Sequence, residues 1–282
     1  MQPEKMNVIL TGAAGGIGKL LAGKLAAAGA SLFLADRDET ALLALQRELR
    51  ASARAGQSIE VCALDLTDMS QVDAWLQSIE AGNRSVNVLV NNAGICKFEL
   101  FDKLSDRDIE QMMTLNSIVP MLLTRRLLPA LRRQPAARIV NIGSTFGGIG
   151  FPGYSAYCAS KYAIRGFSQA LSRELSDSAV RVGCIMPRAA RTAINSDRVV
   201  AMNERLKVAM DPPEKVAAAV FRFISSDRAE LALGWPEKLL LRLNPLLPAL
   251  FDNAISKKLP LIKQFAADVA PRHATPEEVQ NV

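Results

Sequence analysis

Histidine is almost missing from these 282 residues: there is one, His273, in a Pro- and Glu-containing tail. That scarcity removes most histidine triads, histidine metal clusters and histidine general bases, so chemistry must run on other side chains. Cysteine is also sparse. Cys62, Cys96, Cys158 and Cys184 are widely separated and form no C-x-x-C pair, so neither metal nor redox chemistry is indicated. Aromatic residues are only 5% of the chain and are not interleaved with basic ones, so the net charge of +6, spread along the sequence, does not describe a nucleic-acid groove. The opening MQPEKMNVILTG holds no signal-peptide apolar region, and the expectation is a cytoplasmic protein with free thiols.

What is present has the balance of a globular protein, 49% hydrophobic against 22% charged, in a chain long enough to bury a core without disulfides. Short apolar runs around Val8, Phe33, Val61, Leu89, Val140 and Val182 alternate with amphipathic stretches at 17–28, 40–54, 70–81, 106–133 and 156–176. This β-α-β-α order predicts an α/β fold, a doubly wound parallel sheet of Rossmann type with helices on both faces. The pattern changes near Ser226. Residues 1–225 are expected to form the nucleotide-binding and catalytic unit, and 226–282 an apolar helical extension.

Two motifs carry chemistry. The first, TGAAGGIG from Thr11 to Gly18, follows a strand and opens a helix. Gly12 allows the tight turn, while Gly16 and Gly18 let the backbone approach a pyrophosphate. Asp36 ends the second strand about twenty residues on, where a carboxylate can accept from both adenosine ribose hydroxyls; it could otherwise cap the helix that follows. Arg37 pulls the other way, since its guanidinium could attract the 2′-phosphate of NADP, and NAD is favoured with NADP the alternative. The second motif is YCASK, with Tyr157 and Lys161 one helical turn apart and Ser144 at the end of the strand before it. The ammonium beside the phenol is expected to bring its pKa down towards physiological pH, and Ser144 can hold a substrate oxygen.

With these motifs in this order, residues 7–225 resemble the short-chain dehydrogenase/reductase family, in the branch with a T-G-x-x-x-G-x-G loop. The resemblance implies a catalytic tetrad of Asn116, Ser144, Tyr157 and Lys161, in which Asn116 holds a water in the proton relay and Lys161 also binds nicotinamide ribose. It further implies that Asp65 recognises adenine, that Asn91, Ala93 and Gly94 of the NNAG run line the cofactor, that Ile17 and Leu66 join them, and that Pro187 and Thr192 meet the nicotinamide carboxamide. A homo-oligomer and a small-molecule alcohol or carbonyl substrate are implied as well, with no metal. Segments 95–100, 146–154 and 194–210 are expected to border the substrate, and their apolar character favours a lipophilic molecule. An inactive dinucleotide-binding sensor or scaffold, and a lyase or epimerase using the cofactor transiently, are the alternatives.

The chain departs from the family twice. Arg188, in MPRAART, replaces a glycine; it or Arg191 could meet an anionic group, or both could be solvated on a mobile lid. At the other departure, LALGWPEK from Leu231 to Lys238 replaces the usual glycine-rich final strand segment. The leucine-rich tail beyond is too broken by Pro245, Pro248 and charges to span a bilayer. It could cover the substrate cleft, form a subunit interface, or lie on a membrane surface.

Overall fold

The computed structural model of the protein describes residues 1–82, 84–192 and 194–267. His273 lies outside them. Seven parallel strands run in the order β3-β2-β1-β4-β5-β6-β7: β1 (Asn7–Thr11), β2 (Ser31–Asp36), β3 (Ile59–Ala63), β4 (Val88–Asn91), β5 (Ala137–Ile142), β6 (Val180–Met186) and β7 (Glu230–Ala232). The order reverses between β1 and β4, which opens a crevice at the carboxyl ends of those strands.

Alternation along β1 builds a core on each side of the sheet. Val8 and Leu10 face one way, into a cluster with Leu21 and Leu25 of α1 (Gly16–Ala27), Leu42, Leu45 and Leu49 of α2 (Glu39–Ala51), and Val220 and Phe223 of α8 (Pro213–Ile224). Ile9 faces the other way, towards Trp75 of α3 (Met69–Ala81), Leu123 and Leu127 of α5 (Val119–Arg132) and Leu171 of α6 (Ser155–Glu174). The central strands β4 and β5 are buried along their whole length, hence the continuous apolar runs in the sequence.

Most of the expected elements form where the periodicity puts them, with two differences. The stretch 106–133 is not one regular helix. It is α4 (Asp106–Met113), a π-helical turn over Thr114–Ile118, and then α5, with Pro120 in the first turn of α5. A π turn widens the helix by one residue and re-aims the side chains within it, among them Asn116. The second difference is β7, which adds Glu230, Leu231 and Ala232 to the sheet edge beside Cys184, Ile185 and Met186. Its three residues are too few to show an alternation.

Beyond α7 (Asp197–Arg205) and β7, the described residues close with three short helices, α9 (Glu237–Leu243), α10 (Pro248–Ser256) and α11 (Leu259–Ala267). They are not equivalent. Ile262 and Ala266 of α11 are buried with Phe98, Tyr154, Val199 and Met202, whereas α10 has no buried residue. Among the described residues, no helix is long and apolar enough to cross a membrane.

Candidate active site

The loop after β1 is shaped by what glycine lacks. Gly12 has φ of +62°, and a Cβ there would lie 2.8 Å from Cα of Ala93. A Cβ on Gly18 would stand 2.0 Å from the Gly12 carbonyl oxygen, and one on Gly16 would stand 2.9 Å from Cγ2 of Thr192. α1 therefore begins almost in contact with the turn before it. Asp38, Asp68, Ser105 and Ser196 cap α2, α3, α4 and α7 with side-chain oxygens, but α1 has at its N-cap position Gly15, which has no side chain to cap with. Its first N–H groups remain available to an anion.

A cavity of about 720 Å³ opens at this loop. Gly12, Gly16, Ile17, Asp36, Arg37, Asp65, Leu66, Ala93, Gly94 and Thr192 all line it. Asp36 is not a helix cap, since Asp38 takes that role. Its carboxylate accepts from the Ala14 N–H at 2.9 Å and the Asp38 N–H at 3.2 Å, which fixes it between the glycine loop and the end of β2. Asp65 likewise leaves capping to Asp68 and accepts from the backbone N–H and hydroxyl of Thr67. Gly18 and Pro187 lie behind the lining, Gly18 in the α1 contact just described and Pro187 accepting from the Thr145 N–H at 2.9 Å.

Asn91 is deeper still. It donates to Asn141 Oδ1 at 2.8 Å, and Asn141 in turn donates to Ser168, so three buried polar side chains satisfy one another behind the sheet edge. Its neighbour Asn92 reaches the cavity, donating to the carbonyls of Thr11 and Gly12 at 3.0 and 2.9 Å. Period two distinguishes the pair only when the strand's register is known.

The second constellation stands at the ends of β4 and β5 and along α6. Asn116 in the π turn accepts from the Ile95 N–H at 2.9 Å and donates to the Ile95 carbonyl and to Ser160, so it braces the β4 loop against α6. Lys161 is buried, donates to the Ile142 carbonyl at 3.0 Å, and lies over the Tyr157 ring, 5.7 Å from its centroid. A Cβ on Gly94, which lines the cavity, would stand 3.6 Å from Lys161 Nζ.

The expected lowering of the phenol pKa is not what the geometry gives. Tyr157 is half-buried, and burial pushes its pKa up, with Cys96 adding to the rise. The Ser144 hydroxyl beside it opposes that shift without reversing it. Burial also lowers the Lys161 pKa, from 10.5 to about 8. Both groups lean towards their neutral forms for the same reason, loss of water.

The Lys161 shift has a measurable sign. Its folded pKa lies below the unfolded value, so at neutral pH the folded state carries a buried cation, and that cost disappears as pH rises from about 8 towards 10.5. Lys161→Met should therefore be more stable than wild type near neutrality by an amount that shrinks by up to about 3 kcal/mol at the alkaline end. Urea unfolding of both proteins across that range tests this; parallel pH profiles would show that the ammonium is solvated.

A second cavity, of about 400 Å³, shares Cys96 and Ile194 with the first and is also lined by Phe98, Tyr154, Val199 and Arg198. Phe146 packs edge-on to Tyr157 at 6.4 Å between ring centroids and stacks with Phe151 at 5.4 Å. Arg198 lies over the Phe98 ring and donates to the carbonyls of Phe98 and, at 3.4 Å, Ala266, which ties α7 to α11. Residues from the 95–100 and 194–210 segments line this cavity, but Lys97, Glu99, Asn195 and Ser196 make it more polar than the sequence suggested.

Arg188 is neither solvated nor free. Its side chain is 12% exposed, and it holds Asp211, 3% exposed, through two bonds of 2.9 and 3.0 Å. A third branch reaches Glu237 at 3.2 Å and the Trp235 carbonyl at 3.3 Å. Gly234 has φ of +87°, and a Cβ there would stand 2.6 Å from Cδ of Arg188. The two departures from the family pattern are therefore one feature, a guanidinium and the segment that closes on it. Arg191 is exposed, 3.7 Å from Glu204, as a solvated arginine would be.

The family model described as short chain dehydrogenase matches residues 6–202. Nodulation protein G of Rhizobium sp. (strain N33) is 34% identical over 228 residues, 79% of this chain and 91% of the relative. A short chain dehydrogenase/reductase from Burkholderia phymatum, solved in complex with NAD, superposes with a TM-score of 0.78 at 25% identity over 89% of this chain and 96% of its own. A metagenomic short-chain oxidoreductase solved with NADP gives 0.67 at 29% identity, over 80% and 96%.

Proposed function

Because the chain belongs to the short-chain dehydrogenase/reductase family, we propose that it interconverts a lipophilic alcohol and its carbonyl compound, with Tyr157 as the proton-transfer group and NAD as the preferred cofactor. The observation that carries this reading is the meeting of two cavities at Cys96 and Ile194, one built on a glycine loop, the other backed by the aromatic cluster around Tyr157.

The residues present fit a dinucleotide. Gly12, Gly16 and Gly18 leave no space for a side chain, the uncapped start of α1 suits a pyrophosphate, and Asp36 is held where an adenosine ribose would end. Asp65 and Leu66 would flank the adenine, while Gly94, Thr192 and Lys161 would hold the nicotinamide half. A bound nicotinamide would supply hydride transfer to or from the substrate carbon.

The protein's part is the proton and the geometry. Tyr157, kept protonated by burial, gives its proton to the carbonyl oxygen in reduction and takes one back in oxidation. Ser144 holds that oxygen, and Lys161 supports the phenolate left behind. Phe146, Phe151 and Tyr154 enclose the reacting end and exclude water, which favours an apolar substrate body near the phenol. Assay of the purified protein at the reduced-nicotinamide absorbance band, with both cofactors and alcohols and ketones of graded size, tests the reading. Turnover should rise with apolar size; no turnover with any pair would overturn it.

Cofactor choice is separately measurable. The fixed carboxylate of Asp36 repels a 2′-phosphate, whereas Arg37 is exposed and, among the described residues, has no partner that orients it towards one. The kcat/KM ratio should favour NAD by about tenfold or more, ~1.4 kcal/mol, and Asp36→Ala should narrow it. A wild-type preference for NADP would show that Arg37 prevails.

A further inference from the structure

The three C-terminal helices divide between two tasks. α11 closes over the aromatic cluster behind Tyr157, and α9 is anchored by Leu241, 4% exposed, and by Asn244 donating to the Gly148 carbonyl at 3.0 Å. The turn between α9 and α10 covers nothing. Every residue from Pro245 to Leu250 is exposed, with Leu246 at 73%, Leu247 at 49% and Leu250 at 63%. Trp235, at 69%, and Leu239, at 40% and on the side of α9 away from Leu241, are further exposed apolar residues of the same segment.

We infer that this tip, residues 245–250 with Trp235 and Leu239, is a docking surface for an anionic phospholipid membrane. The inference goes beyond the oxidoreductase reading and does not depend on it.

Three observations favour a bilayer. First, the segment from Trp235 to Lys263 that carries these apolar residues also carries the exposed cations Lys238, Arg242, Lys257, Lys258 and Lys263, against Asp252 and Glu237, of which Glu237 is already held by Arg188. Leucines in the acyl boundary with lysines and arginines at the headgroups is the arrangement of an interfacial segment, and an exposed tryptophan suits the same depth. Second, the tip's backbone asks little of water. Pro245 and Pro248 have no N–H, and the amides of Leu246, Leu247 and Leu250 donate to carbonyls of the turn itself. Third, a second copy is a poor occupant. A two-fold contact would set this cationic segment against itself, since the two anions between Trp235 and Lys263 are Glu237, held by Arg188, and Asp252. An oligomer would use other faces.

The test is co-flotation of the full chain with vesicles of phosphatidylcholine alone or with phosphatidylglycerol added. Wild type should float with the anionic vesicles about tenfold or more better than with the neutral ones, lose this in high salt, and show a blue shift of tryptophan emission that Trp235→Phe removes. The triple variant Leu246→Asp, Leu247→Asp, Leu250→Asp should stay with the unbound protein, with its circular dichroism and its turnover of water-soluble substrates unchanged. Lys257→Glu with Lys258→Glu, which leaves the leucines intact, should weaken flotation in parallel. Absence of wild-type flotation overturns the proposal. So does undiminished flotation of the triple variant, or light scattering in which the triple variant falls from a larger assembly to a smaller one, since the tip would then join copies of the chain.

Discussion

Tyr157→Phe is expected to lower kcat by about 10²–10⁴-fold, the usual worth of a positioned general acid or base, while leaving cofactor affinity within about threefold of wild type. The substitution removes one oxygen. The ring keeps its edge contact with Phe146, its packing against Tyr154 and its place beneath the Lys161 ammonium, so little else in the site should move. Equilibrium binding of the cofactor and single-turnover rates separate the two effects. Lys161→Met should differ by harming both, because in the proposed mechanism Lys161 both holds the nicotinamide half of the cofactor and supports the phenolate. Retention of more than about a tenth of wild-type kcat by the phenylalanine variant would exclude the phenol as the proton donor.

The second large effect concerns stability. Arg188→Gly installs the residue that the family pattern favours here, yet it should destabilise this chain by about 3–5 kcal/mol, since it leaves Asp211 almost fully buried and without its bidentate partner. Lys215, 2.9 Å from the same carboxylate but largely exposed, should hold the loss near the lower bound. For a domain of this size, about 2–4 °C of melting temperature accompanies each kcal/mol, so a fall of roughly 6–12 °C is expected. Arg188→Lys should fall between, keeping the charge without the fork. The guanidinium also holds the Asp211 carboxyl below the usual carboxylate range, so this part of the stability is present above about pH 4 and is lost on acidification through the lowered pKa. A change of less than about 0.5 kcal/mol in Arg188→Gly would mean that the clamp contributes nothing.

Arg188 also shows where reading the sequence ends. Six of the seven strands and the helices between them follow from periodicity, because each element records its burial in its own residues. The glycine loop, Asp36 and the Tyr157–Lys161 spacing were legible for the same reason, each being a local pattern with a local physical cause. The clamp is not local. Its partners stand 23 and 49 residues from Arg188, and neither Asp211 nor Glu237 differs in the sequence from a surface carboxylate. The π turn that carries Asn116, the Asn91–Asn141–Ser168 chain and the raised pKa of Tyr157 were hidden likewise, since each depends on which groups packing deprives of water.

The helix that closes the aromatic chamber, α11, joins the chamber's other walls from the far side of Lys257 and Lys258, both exposed. A trypsin-like protease cutting there would leave the sheet, the glycine loop and Tyr157 covalently intact while severing the cover from the chamber. Synthesis meets the same division in time: the glycine loop precedes Ile262 and Ala266 by more than two hundred residues. The nascent chain can thus assemble its nucleotide crevice well before the chamber has a cover, and a bound dinucleotide could stabilise that half while the remainder is still being made.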